Sequence, residues 1–183
     1  MKKYILVKKI FKGYSFIEDN VVVVEKGAHD ERFLQRPTAE KLEELISNCE
    51  EKIIDIALAT ELLENPVEFF SKAAEKGINI SLGHTNSSFD EAAQAHMLGA
   101  KNIIHLFNAM PQLHHRQNSI TTYALLSDIK VEIICDFIHV TPEMIKLVFK
   151  IKNPEDILLI SDSIISSRFE KRKIQAWNSQ CNN

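Results

Sequence analysis

What the chain lacks narrows its class first. No apolar run approaches the ~20 residues of a membrane-spanning helix. There is no excess charge of either sign: the formal charge is −3 over 183 residues. That leaves no electrostatic case for nucleic acid or a membrane surface as partner. The three cysteines, Cys49, Cys135 and Cys181, are widely spaced and form no Cys-x-x-Cys pair. An odd, scattered set does not suggest a disulfide framework, so a reducing, cytoplasmic setting is expected. The first residues, MKKYILVKKIFKGYSF, make a poor signal peptide because Lys8, Lys9 and Lys12 break the apolar stretch. There are no internal repeats and no low-complexity tracts. The composition, 45% hydrophobic and 26% charged, is that of an ordinary soluble globular protein, and the length allows one sizeable core rather than two full domains.

What is present is an alternation of short apolar runs and capped helical patterns. Tyr4 to Ile10 and Val21 to Glu25 read as strands, with turn chemistry at Gly13 and Asp19-Asn20. Gly27 to Pro37 reads as a loop. Thr38 caps a helix reaching about Asn48, with Leu42, Leu45 and Ile46 on one face. Strands are predicted at Ile53 to Ala59, Ile78 to Leu82, Ile103 to Phe107, Val131 to Cys135 and Ile157 to Ile160. Between them, Pro66 opens a helix that Gly77 closes. Ser88 and Glu91 form a capping-box pattern ahead of a helix that Gly99 ends. Short helices follow at Thr121 to Leu126 and from Thr141-Pro142 to Lys150. Strands alternating with helices imply βαβ units and a parallel sheet, and continuous apolar runs suit strands buried on both faces. Five such strands are fewer than the eight of a (β/α)8 barrel, which typically needs ~250 residues. Beyond Ser163 the pattern is lost.

In parallel α/β folds ligands lie beyond the carboxyl ends of the strands. His84, His105, Asp136, His139 and Asp162 all fall at or just after such ends. Neutral imidazoles from neighbouring strands can share a metal, and a strand-end aspartate can take a proton from the attacking water. Taken singly, a strand-end histidine is more often a hydrogen-bonded structural residue. Four successive strand exits with suitable side chains give the hydrolase reading its weight. His114-His115 could bind metal, but adjacent loop histidines are usually solvated, and with Arg116 beside them an anion site is the better reading. His29 follows Gly27-Ala28 in a loop that permits close approach of backbone to a ligand. His96 lies within a helix and reads as a surface or packing residue. The acidic cluster Glu40 to Glu44 reads as a solvated helix face.

Five strings in order, EKGAHDERFLQRP, SLGHTNSSFDEA, IIHLFNAMPQLHHR, VEIICDFIHVTPE and ILLISD, resemble the N-acetylglucosamine-6-phosphate deacetylases of the amidohydrolase superfamily. HLFNAM with LHHR is the specific part; an isolated GH is weak. The resemblance implies a partial (β/α)8 barrel over residues 27–163. It also implies a remnant of an N-terminal β-domain over 1–26 and an unmatched polar tail over 164–183. By the same resemblance, His84 and His105 are metal ligands and Asp162 is the catalytic aspartate. Ala28, His29, Asn108 and Ala109 contact substrate, and Arg116 and His139 anchor the sugar phosphate. The implied cofactor is a divalent metal, zinc or iron(II). The implied substrate is N-acetylglucosamine 6-phosphate, and the family is usually a homodimer.

The sequence also departs from that pattern. The family carries HxEGPF, whose glutamate ligates the metal, shortly before the KGAH loop. Val21 to Glu25 stands there instead, and Glu25 does not align with the ligand. Ser161-Asp162-Ser163 replaces the usual TDA. The chain thus resembles an internally deleted, C-terminally truncated copy missing its third metal ligand, and little or no deacetylase activity is expected of it alone. The alternatives are a non-catalytic sugar-phosphate-binding remnant, a partner of a full-length copy, another amidohydrolase, or an inert α/β domain.

Overall fold

A computed structural model of the chain describes residues 5–7, 10–12, 15–17, 37–49 and 52–162. Local chemistry sets its elements. Strands β1 (Ile5–Val7), β2 (Ile10–Lys12) and β3 (Ser15–Ile17) come first. Helix α1 (Ala39–Asn48) begins where the Thr38 side chain accepts from the Lys41 N–H at 3.2 Å. Strand β4 (Asp55–Leu58) follows, then α2 (Pro66–Glu75), capped by Asn65 and opened by its proline. Next come β5 (Asn79–Leu82) and α3 (Phe89–Met97), whose Ser88–Glu91 capping box is complete. Then come β6 (Asn102–Ile103), α4 (Ile120–Leu126), β7 (Lys130–Ile134), α5 (Pro142–Ile151), capped by Thr141, and β8 (Ile157–Ile160).

β4 to β8 form the parallel ladder that the alternation implies, in chain order. Several strands are shorter than expected: β4 covers only Asp55–Leu58 of the run Ile53 to Ala59, and the run Tyr4 to Ile10 gives β1 at Ile5–Val7, with Ile10 already in β2. The run Ile103 to Phe107 does not continue as a strand, because β6 ends at Ile103 and the chain turns. The Asn108 amide donates to the carbonyls of His105 and Leu106, both at 3.2 Å, and the Asn108 N–H reaches the His105 carbonyl at 2.9 Å. These local bonds compete with strand pairing. The expected strand at Val21 to Glu25, the loop with Ala28 and His29, and everything beyond Asp162 lie outside the described residues.

The sheet has two unlike faces. On one, Ile56, Leu58, Ile80, Leu82, Ile103, Val131 and Ile133 are buried in one cluster with Phe69 and Ala73 of α2, Ala92 and Ala95 of α3, and Val148 of α5. Burying each large apolar side chain contributes roughly 1.5–3 kcal/mol. The other face carries a polar ladder that the hydrophobic pattern did not reveal. The Ser81 hydroxyl donates to Asp55 Oδ1 at 2.7 Å and lies 3.1 Å from Asn102 Oδ1. The Asn102 amide reaches Glu132 at 3.4 Å.

The two edges differ as well. β1 pairs antiparallel with β4, Ile5 opposite Leu58. Among the described residues β8 has only β7 beside it, and its Leu158 and Leu159 are exposed. Lys152, just past α5, is buried. Its ammonium donates to the carbonyls of Ala124, Ser127 and Ile129 at 3.0, 2.9 and 2.8 Å, closing the carboxyl end of α4. Burial pushes the Lys152 pKa down from the usual lysine range. No helix among the described residues is long and apolar enough to cross a membrane.

Candidate active site at the carboxyl ends of the strands

Every non-glycine residue with positive φ among those described lies at the carboxyl end of the parallel sheet. These are His84 after β5, His105, Phe107 and Ala109 after β6, Phe137 after β7, and Asp162 after β8. Left-handed backbone at such residues costs about 1–2 kcal/mol each. Strain of this kind persists where surrounding contacts over-determine it, and it clusters at functional sites.

His84 and His105 stand together at the centre of this rim. Their rings meet edge to face, centroids 4.8 Å apart. His105 is buried at 4% exposure, and His84 is half-buried. The approach of the two exits depends on Gly83. A Cβ at that position would lie 2.1 Å from Cγ1 of Ile104, so no larger residue fits without displacing the Ile104 side chain. The Thr85 N–H donates to the Ala109 carbonyl at 3.1 Å, joining the His84 loop to the turn after β6. His105 Nδ1 lies 3.0 Å from the Asn108 carbonyl. A carbonyl can only accept, so Nδ1 carries a proton, and the neutral form of the ring has its lone pair at Nε2. That tautomer is the one suited to metal ligation.

The other expected site residues are spread along the same rim. After β7, Asp136 organises a turn. Its Oδ1 accepts from the N–H groups of Ile138 and His139, both at 2.9 Å, and its Oδ2 from His139 Nδ1 at 2.6 Å. The His139 and Ile138 amides, then the His139 ring, hold the Asp136 carboxyl down at about 2. Burial, and then the neighbouring Asp136, pushes the Cys135 thiol up. Arg116 sits in the exposed loop after β6, its N–H on His114 Nδ1 at 3.2 Å, with the His114 and His115 rings 4.6 Å apart. Asn108 and Ala109 adjoin His105 through the bonds already given. Asp162 is exposed at the end of β8, three strands from His84, or roughly 14 Å along a flat sheet. Ala28 and His29 lie outside the described residues. The fold thus joins His84, His105, Asn108 and Ala109 directly, and places Arg116, His139 and Asp162 on the same side. His96 is a packing residue, its Nδ1 2.8 Å from the Tyr123 hydroxyl on α4.

Sequence reasoning passed over Glu61. It follows β4 by three residues, in the short 3-10 turn Thr60–Leu62. Its Oε2 accepts from the hydroxyls of Thr85 and Ser87 at 2.6 and 2.7 Å, and its Oε1 from the Asn86 N–H at 2.8 Å. The available signal was its place, a carboxylate at the first strand exit of the ladder.

The donor chemistry suits a divalent cation as far as two imidazoles go, yet no group of three His, Cys, Asp or Glu side chains able to hold one occurs among the described residues.

A parallel sheet with helices between its strands, and strained, polar strand exits at one end, defines the chain as an α/β fold whose candidate site lies at those exits. Comparison with known proteins makes this particular. An N-acetylglucosamine-6-phosphate deacetylase of Lysinibacillus sphaericus is 32% identical over 139 residues, which are 75% of this chain and 36% of the relative. One from Vibrio furnissii is 33% identical over 135 residues, 73% of this chain and 32% of the relative. The crystal structure of the Thermotoga maritima deacetylase superposes with a TM-score of 0.69 at 34% identity, covering 79% of this chain and 39% of that one. No protein-family profile matches. Over this segment the chain is similar to N-acetylglucosamine-6-phosphate deacetylases, and it spans about a third of the length of the curated relatives it matches.

Proposed function

We propose that the chain carries part of an active site that hydrolyses N-acetylglucosamine 6-phosphate to glucosamine 6-phosphate and acetate. The observation that carries this reading is the paired His84 and His105 on a rim where non-glycine residues hold left-handed backbone. His84 and His105 would hold the metal, zinc or iron(II), both of which suit imidazole. When bound, that cation would supply Lewis-acid polarisation of the acetyl carbonyl.

The remaining roles fall to the chain's own groups. Asp162 takes a proton from the attacking water as its oxygen bonds to the carbonyl carbon. It then delivers that proton to the nitrogen as the C–N bond breaks, so that acetate and the free amine leave. Arg116 and His139 bind the phosphate: a guanidinium offers a planar fork of donors, and His139 is held in orientation by Asp136. Asn108 and Ala109 orient the sugar from the turn that also fixes His105, and Ala28 and His29 approach the acetyl group. The reading includes a homodimer, as the resemblance implies, in the reducing, cytoplasmic setting that the scattered cysteines suggest.

Two imidazoles are neutral and leave a dication's charge uncompensated, so metal binding by this donor set is weak and turnover by the chain alone is slow. The experiment is purified protein assayed for metal content, for binding of N-acetylglucosamine 6-phosphate and for acetate release. Sugar-phosphate binding that Arg116→Ala weakens about tenfold (about 1.4 kcal/mol), with acetate release slow and lost in Asp162→Asn, is the expected result. Near-stoichiometric metal with rapid turnover would overturn the incomplete donor set. Absence of both sugar-phosphate and metal binding would overturn the site itself.

A further inference from the structure

We infer that Glu61 is a positioning residue for the histidine pair, setting the His84 ring against His105 by clamping the loop that follows His84. The inference deepens the reading of His84 as a metal ligand and rests on it for its functional meaning. The geometry stands independently.

The loop 84–87 leaves β5 with His84 at φ 48°, a conformation that its own sequence does not favour. Something outside the loop must hold it. Thr85 and Ser87 are buried at 2% and 1% exposure, and both hydroxyls turn to Glu61 Oε2. The Asn86 N–H between them takes Oε1. The Thr85 hydroxyl oxygen also accepts from the Ser87 N–H at 3.0 Å, so the loop closes on itself around the carboxylate. Three donors from three consecutive residues therefore converge on one side chain of the neighbouring strand exit. A carboxyl group presents an oxygen to all three, whereas an amide replaces one of those oxygens with donors. On its other side the loop is tied through the Thr85 N–H to the turn bearing His105. Glu61 thus holds one side of the His84 loop and the turn after β6 holds the other, so the backbone that carries the His84 ring is tied from both sides.

Glu61 also differs from the nearby Glu91, whose Oε2 accepts from the Ser88 N–H and hydroxyl at 2.8 Å each. Glu91 serves the amino end of its own helix, so Glu91→Gln is the control for loss of a carboxylate with no effect on His84.

The test uses the 183-residue chain and two readouts. The first is the imidazole carbon and proton resonances of His84, His105 and His139 in metal-free protein, which report ring placement. The second is cobalt(II) affinity by optical titration. The variants are Glu61→Gln, Glu61→Leu and the near-isosteric Thr85→Val, each checked for a native melting transition. The expected result is displaced His84 resonances in all three, with those of His139 unmoved. Cobalt affinity should fall at least tenfold in Glu61→Leu and less in Glu61→Gln. Folded Thr85→Val and Glu61→Gln proteins whose His84 resonances match the parent would overturn the inference. If the parent binds no cobalt while His84 still moves in the variants, the positioning role stands and the metal reading fails. Thr85→Val keeps the test decisive should loss of Glu61 prevent folding.

Discussion

The two ends of the parallel sheet solve the same geometric problem in opposite ways. Where α2 and α3 turn into β5 and β6, at the amino ends of the strands, Gly77 and Gly99 take the positive φ of 67° and 112°. Glycine pays no Cβ penalty there. At the carboxyl ends the same region of φ is occupied by histidine, phenylalanine, alanine and aspartate. One end is built to be unstrained, and the other retains strain to hold particular side chains. Stability and function are therefore separated along the strand axis, and substitutions at the two ends should move different observables.

The largest effect is expected at the amino end, from Lys152→Met. Its ammonium holds three carbonyls around the end of α4, those of Ala124 and Ile129 in buried bonds, and methionine leaves them without that donor. Hydrogen bonds to a charged group contribute about 1.5–3 kcal/mol each, and they are not additive, so a loss on the order of 3 kcal/mol is expected in urea denaturation. Binding of N-acetylglucosamine 6-phosphate by the protein that remains folded should be unchanged. A large loss of binding without a loss of stability would show that the two ends are not separable.

A smaller, paired test exchanges the two solutions. Gly99→Ala should destabilise by about 1–2 kcal/mol: no atom lies within 4 Å of the added Cβ, so the cost is conformational rather than steric. Phe137→Gly should do the reverse. Phe137 is 65% exposed at φ 64°, so little packing is lost. Relief of about 1–2 kcal/mol is partly offset by glycine's greater chain entropy, about 0.5–1 kcal/mol, and the net gain is about 0.5–1 kcal/mol. The urea midpoint measures both. A destabilised Phe137→Gly would mean that apolar contact, rather than retained strain, decides that position.

The sequence made the local devices legible at both ends of the sheet. Gly77 and Gly99 at the amino ends, and Pro66, Ser88, Glu91 and Thr141 where helices leave the carboxyl ends, act within a few residues of themselves, so composition and spacing were enough to read them. The five parallel strands followed from the same local logic. The carboxyl end was legible only in part. His84 and His105 could be seen as strand-end histidines, and the loops around them carried the resemblance to the deacetylases. Their edge-to-face meeting, however, depends on Gly83 making room for Ile104, a contact between strands. Glu61 was missed because its three partners lie 24 to 26 residues away. The shortening of β6 was missed because Asn108 folds back on His105, which an apolar run does not announce.

The smallest effect tests whether the rim geometry persists in solution, and it does so through pH. In the folded chain the amides of His139 and Ile138 and the His139 ring hold the Asp136 carboxyl at about 2, below its ordinary value of 3.8. A carboxyl depressed on folding contributes fully above its ordinary pKa. The contribution is lost as pH falls towards the folded value, because protonation removes the acceptor that the two amides and the ring require. The turn 136–139 should therefore loosen between about pH 4 and pH 2 while the apolar cluster beneath it is unaffected. Asp136 is exposed, so the change should be local rather than a shift of global stability. Carboxyl-carbon NMR of Asp136, with amide exchange at Ile138 and His139, follows it directly. Asp136→Asn should remove the pH dependence of those amides. A carboxyl that titrates near 4 would show that the three bonds do not hold together in water. His139 would then lack the fixed orientation that its proposed phosphate-binding role requires.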